Sequence, residues 1–360
     1  MHFGIFNLMG LRDNPGGVGG VIEDTRSMVK LAEEIGFEIA WFAEHHFTNY
    51  SVCISPLMMA AHMAGQTSRI RLGAGVVVLP LYHPMRVAQE IALLDQMSGG
   101  RAVLGVGTGY QAYEFDRYGA DVAKKTDIFL EYWSIVEQAL TEGRAVFKGE
   151  HISIPESVFT VRGVQKPLPP IYCTSPHPPI LKAIAKWGGV PFITAGWRGT
   201  PALFGIAEMV RDAWVKAGLD GPTMPVALQQ YIHVTDSAQE AMEAAERARY
   251  VGRMVHGLRS NVLTLDGSFV VADPIPDEPP LETFRDNLLI GDPHLVAEKL
   301  VAEIRRLNPQ HYNGFFQFGD MPVARARRSL ERFGAEVLPL VEREVGPLAA
   351  IGTRVPAAAE

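Results

Sequence analysis

The chain has 360 residues, 47% of them hydrophobic and 20% charged, a composition that fits either two domains or one long α/β barrel. A net charge of −7, with Lys and Arg scattered, argues against nucleic acid or an anionic membrane as partner. Two isolated cysteines, Cys53 and Cys173, are too few for a disulfide framework or a thiolate metal site. No apolar run reaches the ~18 residues that span a bilayer, and the start shows no signal-peptide pattern, so a cytoplasmic protein is expected.

In chain order, short β-branched and aromatic runs alternate with segments of helical period. The first run is Phe3 to Leu8, followed by a helical stripe over 21–35 that Gly36 ends. Ile39 to Ala43 is the second, leading into Glu44-His45-His46-Phe47. The third spans Ile70 to Leu79 and precedes a helix from Pro84 to Met97. Ala102 to Gly107 is the fourth; an excursion follows, with a helix near 127–142 and a hairpin from Ala145 to Val161. Pro170–Thr174, Pro191–Thr194, Val226–Val234 and Gly314–Phe318 supply the rest, ahead of an amphipathic helix ending near Arg343.

Strand–helix alternation implies a parallel sheet, and eight such units suggest a closed (β/α)8 TIM barrel, although an open doubly wound sheet accepts the same pattern. We expect one domain over 1–345, with insertions at about 110–168 and 258–287, and a flexible tail over 346–360. The second insertion, rich in Pro, Asp and Gly, reads as a lid over a site or as a plain surface loop.

In a barrel, reactive groups gather where strands end. Those ends supply a mostly apolar mouth with a few polar groups, suited to a large planar ligand. Glu44-His45-His46 is the densest ionisable cluster. Alternation sends His45 to the face of Trp41 and Ala43, and His46 to that of Phe42 and Glu44. No His-x-His spacing or carboxylate-rich strand end completes a metal shell, so no metal is expected. Gly105-Val106-Gly107-Thr108-Gly109 lacks the dinucleotide spacing; its small residues would let a flat ring lie close to backbone. Thr174, Ser175 and His177 precede a helix starting at Pro178-Pro179, which reads either as a phosphate cradle or as a plain helix cap.

With these motifs the chain resembles the bacterial-luciferase-like flavin-dependent monooxygenases, in particular the luciferase α subunit. The resemblance is carried by Phe3-Gly4-Ile5-Phe6, Ala43-Glu44-His45-His46-Phe47-Thr48, Val78-Leu79-Pro80 with His83-Pro84, Leu93-Leu94-Asp95-Gln96-Met97-Ser98 with Gly100-Arg101, and Leu104-Gly105-Val106-Gly107. It implies a barrel that binds reduced FMN supplied by a separate flavin reductase. Oxygen then adds to the flavin as a C4a-hydroperoxide that attacks a carbonyl substrate. The resemblance assigns His45 as the catalytic acid–base group with His46 as its partner, and a cis peptide at Gly75–Val76 under the flavin ring. The corresponding cofactor-binding residues are Gly75, Val76, Gly107, Thr108, Thr174, Ser175, His177 and Arg198. An apolar substrate pocket would be made by Phe6, Met9, Phe47, Leu79, Tyr110 and Trp197. This sequence departs at the phosphate site: Thr108 stands where the family has an arginine, and a second arginine is unmatched near Lys125 to Asp127, so Lys124, Lys125, Arg198 or the Thr174-to-His177 turn would have to compensate. Light emission is not expected. The resemblance also implies a homodimer, which Met58, Met59, Met63 and Ile91 would suit, although core packing explains them equally well. The alternatives are a deazaflavin oxidoreductase on the same barrel and a non-catalytic flavin-binding subunit.

Overall fold

The computed structural model describes residues 1–260 and 262–352. Eight parallel strands form its centre: β1 (His2–Asn7), β2 (Ile39–Phe42), β3 (Arg71–Ala74), β4 (Ala102–Gly107), β5 (Ile171–Cys173), β6 (Val190–Thr194), β7 (Ala227–Val234) and β8 (His311–Phe315). Each pairs with the next in chain order. The eighth returns to the first, with Gly4 opposite Asn313, so the sheet closes and the open-sheet alternative falls.

The period of two divides each strand between two cores. Inward residues Ile39, Trp41, Val103, Tyr172, Val190, Phe192 and Ala227 fill the barrel with Phe6. Trp41 is its largest piece: its Nε1–H donates to Asn313 Oδ1 at 2.8 Å, and its ring lies where a Cβ on Gly73 would be, at 2.5 Å. Outward residues such as Ile5, Ala40, Phe42, Leu72 and Val106 pack under the helices. Among the described residues no helix is long and apolar enough to cross a membrane.

The helix Pro84–Met97, the helix Lys125–Glu142 and the hairpin Arg144–Lys148 with Ser153–Val158 occur where the periodicity put them. Gly36 ends the first helix at φ 96°, its N–H on the carbonyls of Ala32 and Glu33.

Three expectations need correction. The run Ile70 to Leu79 is not one strand: it breaks after Ala74 and resumes as the two-residue strand Val77–Val78 against β4. The last barrel strand begins at His311 and ends at Phe315. Its polar start is buried, with His311 and Asn313 bonded inside the barrel to Tyr172 and Trp41 and Tyr312 bonded outside it to Glu303, whereas Phe316 and Phe318 follow it. The tail expected from 346 is held at its beginning. The Met1 ammonium donates to the carbonyls of Leu348 and Ile351, and Gly352 N–H donates to Asn308 Oδ1 at 2.8 Å. The remainder of that expected tail, 353–360, lies outside the described residues.

Candidate active site

The second strand stops at Phe42, but alternation persists beyond it. Glu44 and His46 fall on one side, joined Oε1 to Nε2 at 2.9 Å, and His45 falls on the other. The second Glu44 oxygen accepts from the Tyr82 hydroxyl at 2.9 Å and from Val78 N–H at 3.2 Å, which ties the end of β2 to the segment after the Gly75–Val76 bond. Burial pushes the Glu44 carboxyl up, against the opposing pull of His46 and these donors. His46 Nδ1 meets the Tyr118 hydroxyl at 3.0 Å, so both its ring nitrogens are engaged and neither is free for a ligand.

His45 is held at one nitrogen only. Its Nδ1 lies 2.8 Å from Gln111 Nε2 and 3.1 Å from Glu114 Oε1. Nε2 has no partner among the described residues. The ring packs 4.6 Å from Tyr50 and 5.8 Å from Tyr110, centroid to centroid. Glu114 is buried and also accepts His46 N–H at 2.8 Å, so one carboxylate fixes the backbone after β2 and stands against the imidazole. Gln111 and Glu114 cap and open the short helix Ala112–Tyr118 that follows β4. Sequence reasoning missed both because they lie in an insertion; a carboxylate in a first helical turn just after a barrel strand was the available signal. The Tyr50 and Tyr110 phenols are raised by burial and keep their protons.

Beside this cluster, β3, β4 and β5 end in a floor of small residues. The Gly75–Val76 peptide is cis, as the resemblance implied. A Cβ on Gly107 would sit 2.7 Å from Val76 Cγ2 and 2.8 Å from Thr174 Oγ1, so Val76, Gly107 and Thr174 meet at one place. The missing Cβ at 107 is what lets these neighbouring groups come so close to the backbone. Next to it, the Thr108 hydroxyl donates to the Gly109 carbonyl at 3.4 Å.

The Thr174-to-His177 turn leads into the helix Pro178–Ala185, which has no side-chain cap. Ser175 is buried, while Thr174 and His177 are exposed. Arg198 is exposed, with no side-chain partner among the described residues and no bond to that turn. Two cations were not foreseen together. Lys125 opens the helix Lys125–Glu142, and its ammonium is held below the usual lysine range by burial and by nearby Arg259. The Arg259 guanidinium lies 4.6 Å from the Tyr110 ring centre. Neither cation has an ion-pair partner among the described residues. Lys125 stands where the resemblance leaves its second arginine unmatched; Arg259, 134 residues further on, was not expected, as no local pattern links residue 125 to residue 259.

A cavity of about 410 Å³ opens over the ends of β1 and β8, walled by Leu8, Met9, Tyr50, Met254, Phe315 and Phe318. It adjoins His45 through Tyr50. Of the expected pocket residues, Met9 lines it and Phe6 backs it, 5.4 Å from the Phe315 ring. Tyr110 stands beside His45. The other three differ. Leu79 is fully buried in the outer core. Trp197 stacks on Phe284 at 4.9 Å, over Gly252, and so anchors the second insertion. Phe47, at φ 64°, turns outward and is 43% exposed against Tyr118. Among the described residues no group of three or more His, Cys, Asp or Glu is placed to hold a metal.

Residues 1–311 match the family described as luciferase-like monooxygenase. The chain belongs to that family. Within it, the chain is 34% identical over 347 residues to the protein y4vJ of Sinorhizobium fredii, covering 96% of this chain and 99% of that one. It is 26% identical over 323 residues to the oxygenase component of the flavin-dependent trigonelline monooxygenase of Acinetobacter baylyi, covering 87% and 88%. Among solved structures, it resembles the oxygenating constituent of 3,6-diketocamphane monooxygenase from Pseudomonas putida in complex with FMN (TM-score 0.73, 20% identity, 95% and 98% coverage). It also resembles the coenzyme F420-dependent tetrahydromethanopterin reductase of Methanopyrus kandleri (TM-score 0.64, 20% identity, 94% and 98% coverage). At these identities the structures establish the barrel fold.

Proposed function

We propose that this protein is the oxygenase component of a two-component flavin-dependent monooxygenase. It would take reduced FMN from a separate reductase and O2 from solution, and oxygenate a small apolar carbonyl compound. One observation carries the reading: at the barrel mouth, beside an apolar cavity, His45 is fixed through Nδ1 and leaves Nε2 free. The relative named as an oxygenase component and the neighbour with bound FMN support the two-component arrangement and the cofactor.

The residues present fit a flavin. Gly75, Val76, Gly107 and Thr174 offer a floor of small and β-branched groups beneath a flat ring system, and Tyr110 and His45 stand at its edge. Lys125 and Arg259, unpaired cations at the head of an 18-residue helix, would supply for the phosphate the positive charge that Thr108 lacks. Bound reduced flavin supplies the electrons that activate O2 for insertion of one oxygen atom into the substrate. His45 presents Nε2 to the reacting groups and gives or takes a proton there, while Gln111 steadies the ring at Nδ1. The buried phenols of Tyr50 and Tyr110 remain donors, and the apolar cavity wall excludes water around the substrate.

The helix faces bearing Met58, Leu93 and Met97, which are 71%, 49% and 57% exposed, suit a second copy of the chain. Met63 and Ile91, expected to join that face, are fully buried and belong to the core.

The test is an anaerobic titration with photoreduced FMN, reduced riboflavin and reduced deazaflavin, followed by O2 and a panel of cyclic ketones and aldehydes. Tight binding of reduced FMN and oxygen-dependent substrate loss are expected. Binding of the deazaflavin with hydride transfer and no oxygen uptake would replace this reading with the oxidoreductase alternative.

A further inference from the structure

His45 Nδ1 faces a donor and an acceptor at once, and only one of them can be satisfied. Gln111 is fully buried, and its amide nitrogen has an acceptor for each hydrogen: His45 Nδ1 at 2.8 Å and the Tyr110 hydroxyl at 3.3 Å. Its amide oxygen has no hydrogen-bond partner among the described residues. Glu114 Oε1, the competing acceptor, stands farther away at 3.1 Å and is already engaged by His46 N–H. An imidazole nitrogen that accepts from an amide carries no proton, so with the Gln111 nitrogen toward Nδ1 a neutral His45 has its hydrogen on Nε2.

We propose that Gln111 is a positioning residue that sets the tautomer of His45. With the amide as it stands, His45 rests with a lone pair on Nδ1 and a hydrogen on Nε2, presenting an acid to the mouth without carrying charge. If Gln111 is removed, Glu114 becomes the sole polar partner of Nδ1. The proton then moves to Nδ1, as an N–H donating to the carboxylate, and Nε2 presents a lone pair. The exchange passes through the imidazolium: one proton is gained at one nitrogen and one is lost from the other, so the neutral ring keeps a single hydrogen. The orphaned Gln111 oxygen suits the passage. Turning the amide would point that oxygen at Nδ1 and accept its hydrogen while the ring carries both protons.

This inference rests on the reading of His45 as the acid–base group, and the experiment separates the two. The cofactor-free protein is labelled with nitrogen-15 histidine, and the His45 signals are identified by their loss in His45→Ala. The wild type is expected to show an unprotonated Nδ1 and a protonated Nε2. Gln111→Leu and Gln111→Glu, which cannot donate to Nδ1, are expected to reverse the pair, whereas Glu114→Gln should leave it as in the wild type. Unchanged His46 signals, from a ring fixed by Glu44 and Tyr118, confirm that each variant folds. In turnover, Gln111→Leu is expected to lower kcat about tenfold with KM little changed. A wild-type ring protonated on Nδ1, or a tautomer unmoved in Gln111→Leu, would overturn the proposal. Reversal of the tautomer with full turnover would uphold it while removing His45 from the chemistry.

Discussion

The two ends of the barrel each hold a histidine beside a carboxylate, and they are built to opposite purposes. At the floor, His311 is closed: Nδ1 bonds to the Tyr172 hydroxyl and Nε2 faces Glu38 at 3.4 Å, with His2 on the same carboxylate. At the mouth, His45 is open: Nδ1 faces Gln111 and Glu114, and Nε2 has no hydrogen-bond partner among the described residues. The same side chains that knit the floor together are arranged at the mouth to leave one nitrogen available. Completed bonding suits a structural histidine, and half-completed bonding beside a cavity is what the proposed acid–base role of His45 requires.

The largest effect that sharpens this contrast is His45→Ala. Its kcat is expected to fall by about 10²- to 10⁴-fold in steady-state turnover with little change in melting temperature. A variant that melts early but turns over normally would place His45 with the floor residues.

His233 on β7 gives a second, pH-dependent contrast. It is buried, its Nδ1 lacks a partner among the described residues, and burial brings its pKa down to about 4. The unfolded chain binds a proton below about pH 6.5 and the folded chain does not until about pH 4. Stability should therefore drop as pH falls through that window, by at most about 3 kcal/mol from this residue. Urea unfolding at pH 7 and pH 4.5 measures it, and His233→Gln should flatten the slope.

At the floor, His311→Ala is expected to cost about 1–3 kcal/mol of stability, because Tyr172 loses its partner in the barrel interior, and to leave kcat unchanged. Thermal melts beside turnover assays decide this. Smaller still, removing Lys125 or Arg259 as alanine variants should weaken reduced FMN binding about tenfold each and leave riboflavin binding unmoved. Equal losses for both flavins would break the phosphate assignment.

Much of this could be read before the fold was known. The strand–helix alternation located most of the barrel, and period-two alternation separated His45 from His46, because both depend on local backbone geometry. The eighth strand was misplaced since His311 and Asn313 are polar; their acceptability there comes from partners on distant strands, Tyr172 and Trp41. Gln111 and Glu114 escaped notice because a helix in an insertion carries no mark of which face meets β2. Trp197 and Leu79 misled because an aromatic or aliphatic residue at a strand's end is equally suited to core and to pocket. In Trp197 the deciding partner, Phe284, lies in the second insertion.

The central claim is that His45 serves oxygen insertion at the open end of the barrel. The most direct measurement is a single turnover of wild type and His45→Ala with photoreduced FMN, oxygen-18-labelled O2 and a substrate found in the ketone and aldehyde panel. The account predicts one labelled oxygen atom in the wild-type product, and for His45→Ala flavin reoxidation with little labelled product. Equal label from both proteins, or product carrying oxygen from water alone, would contradict it.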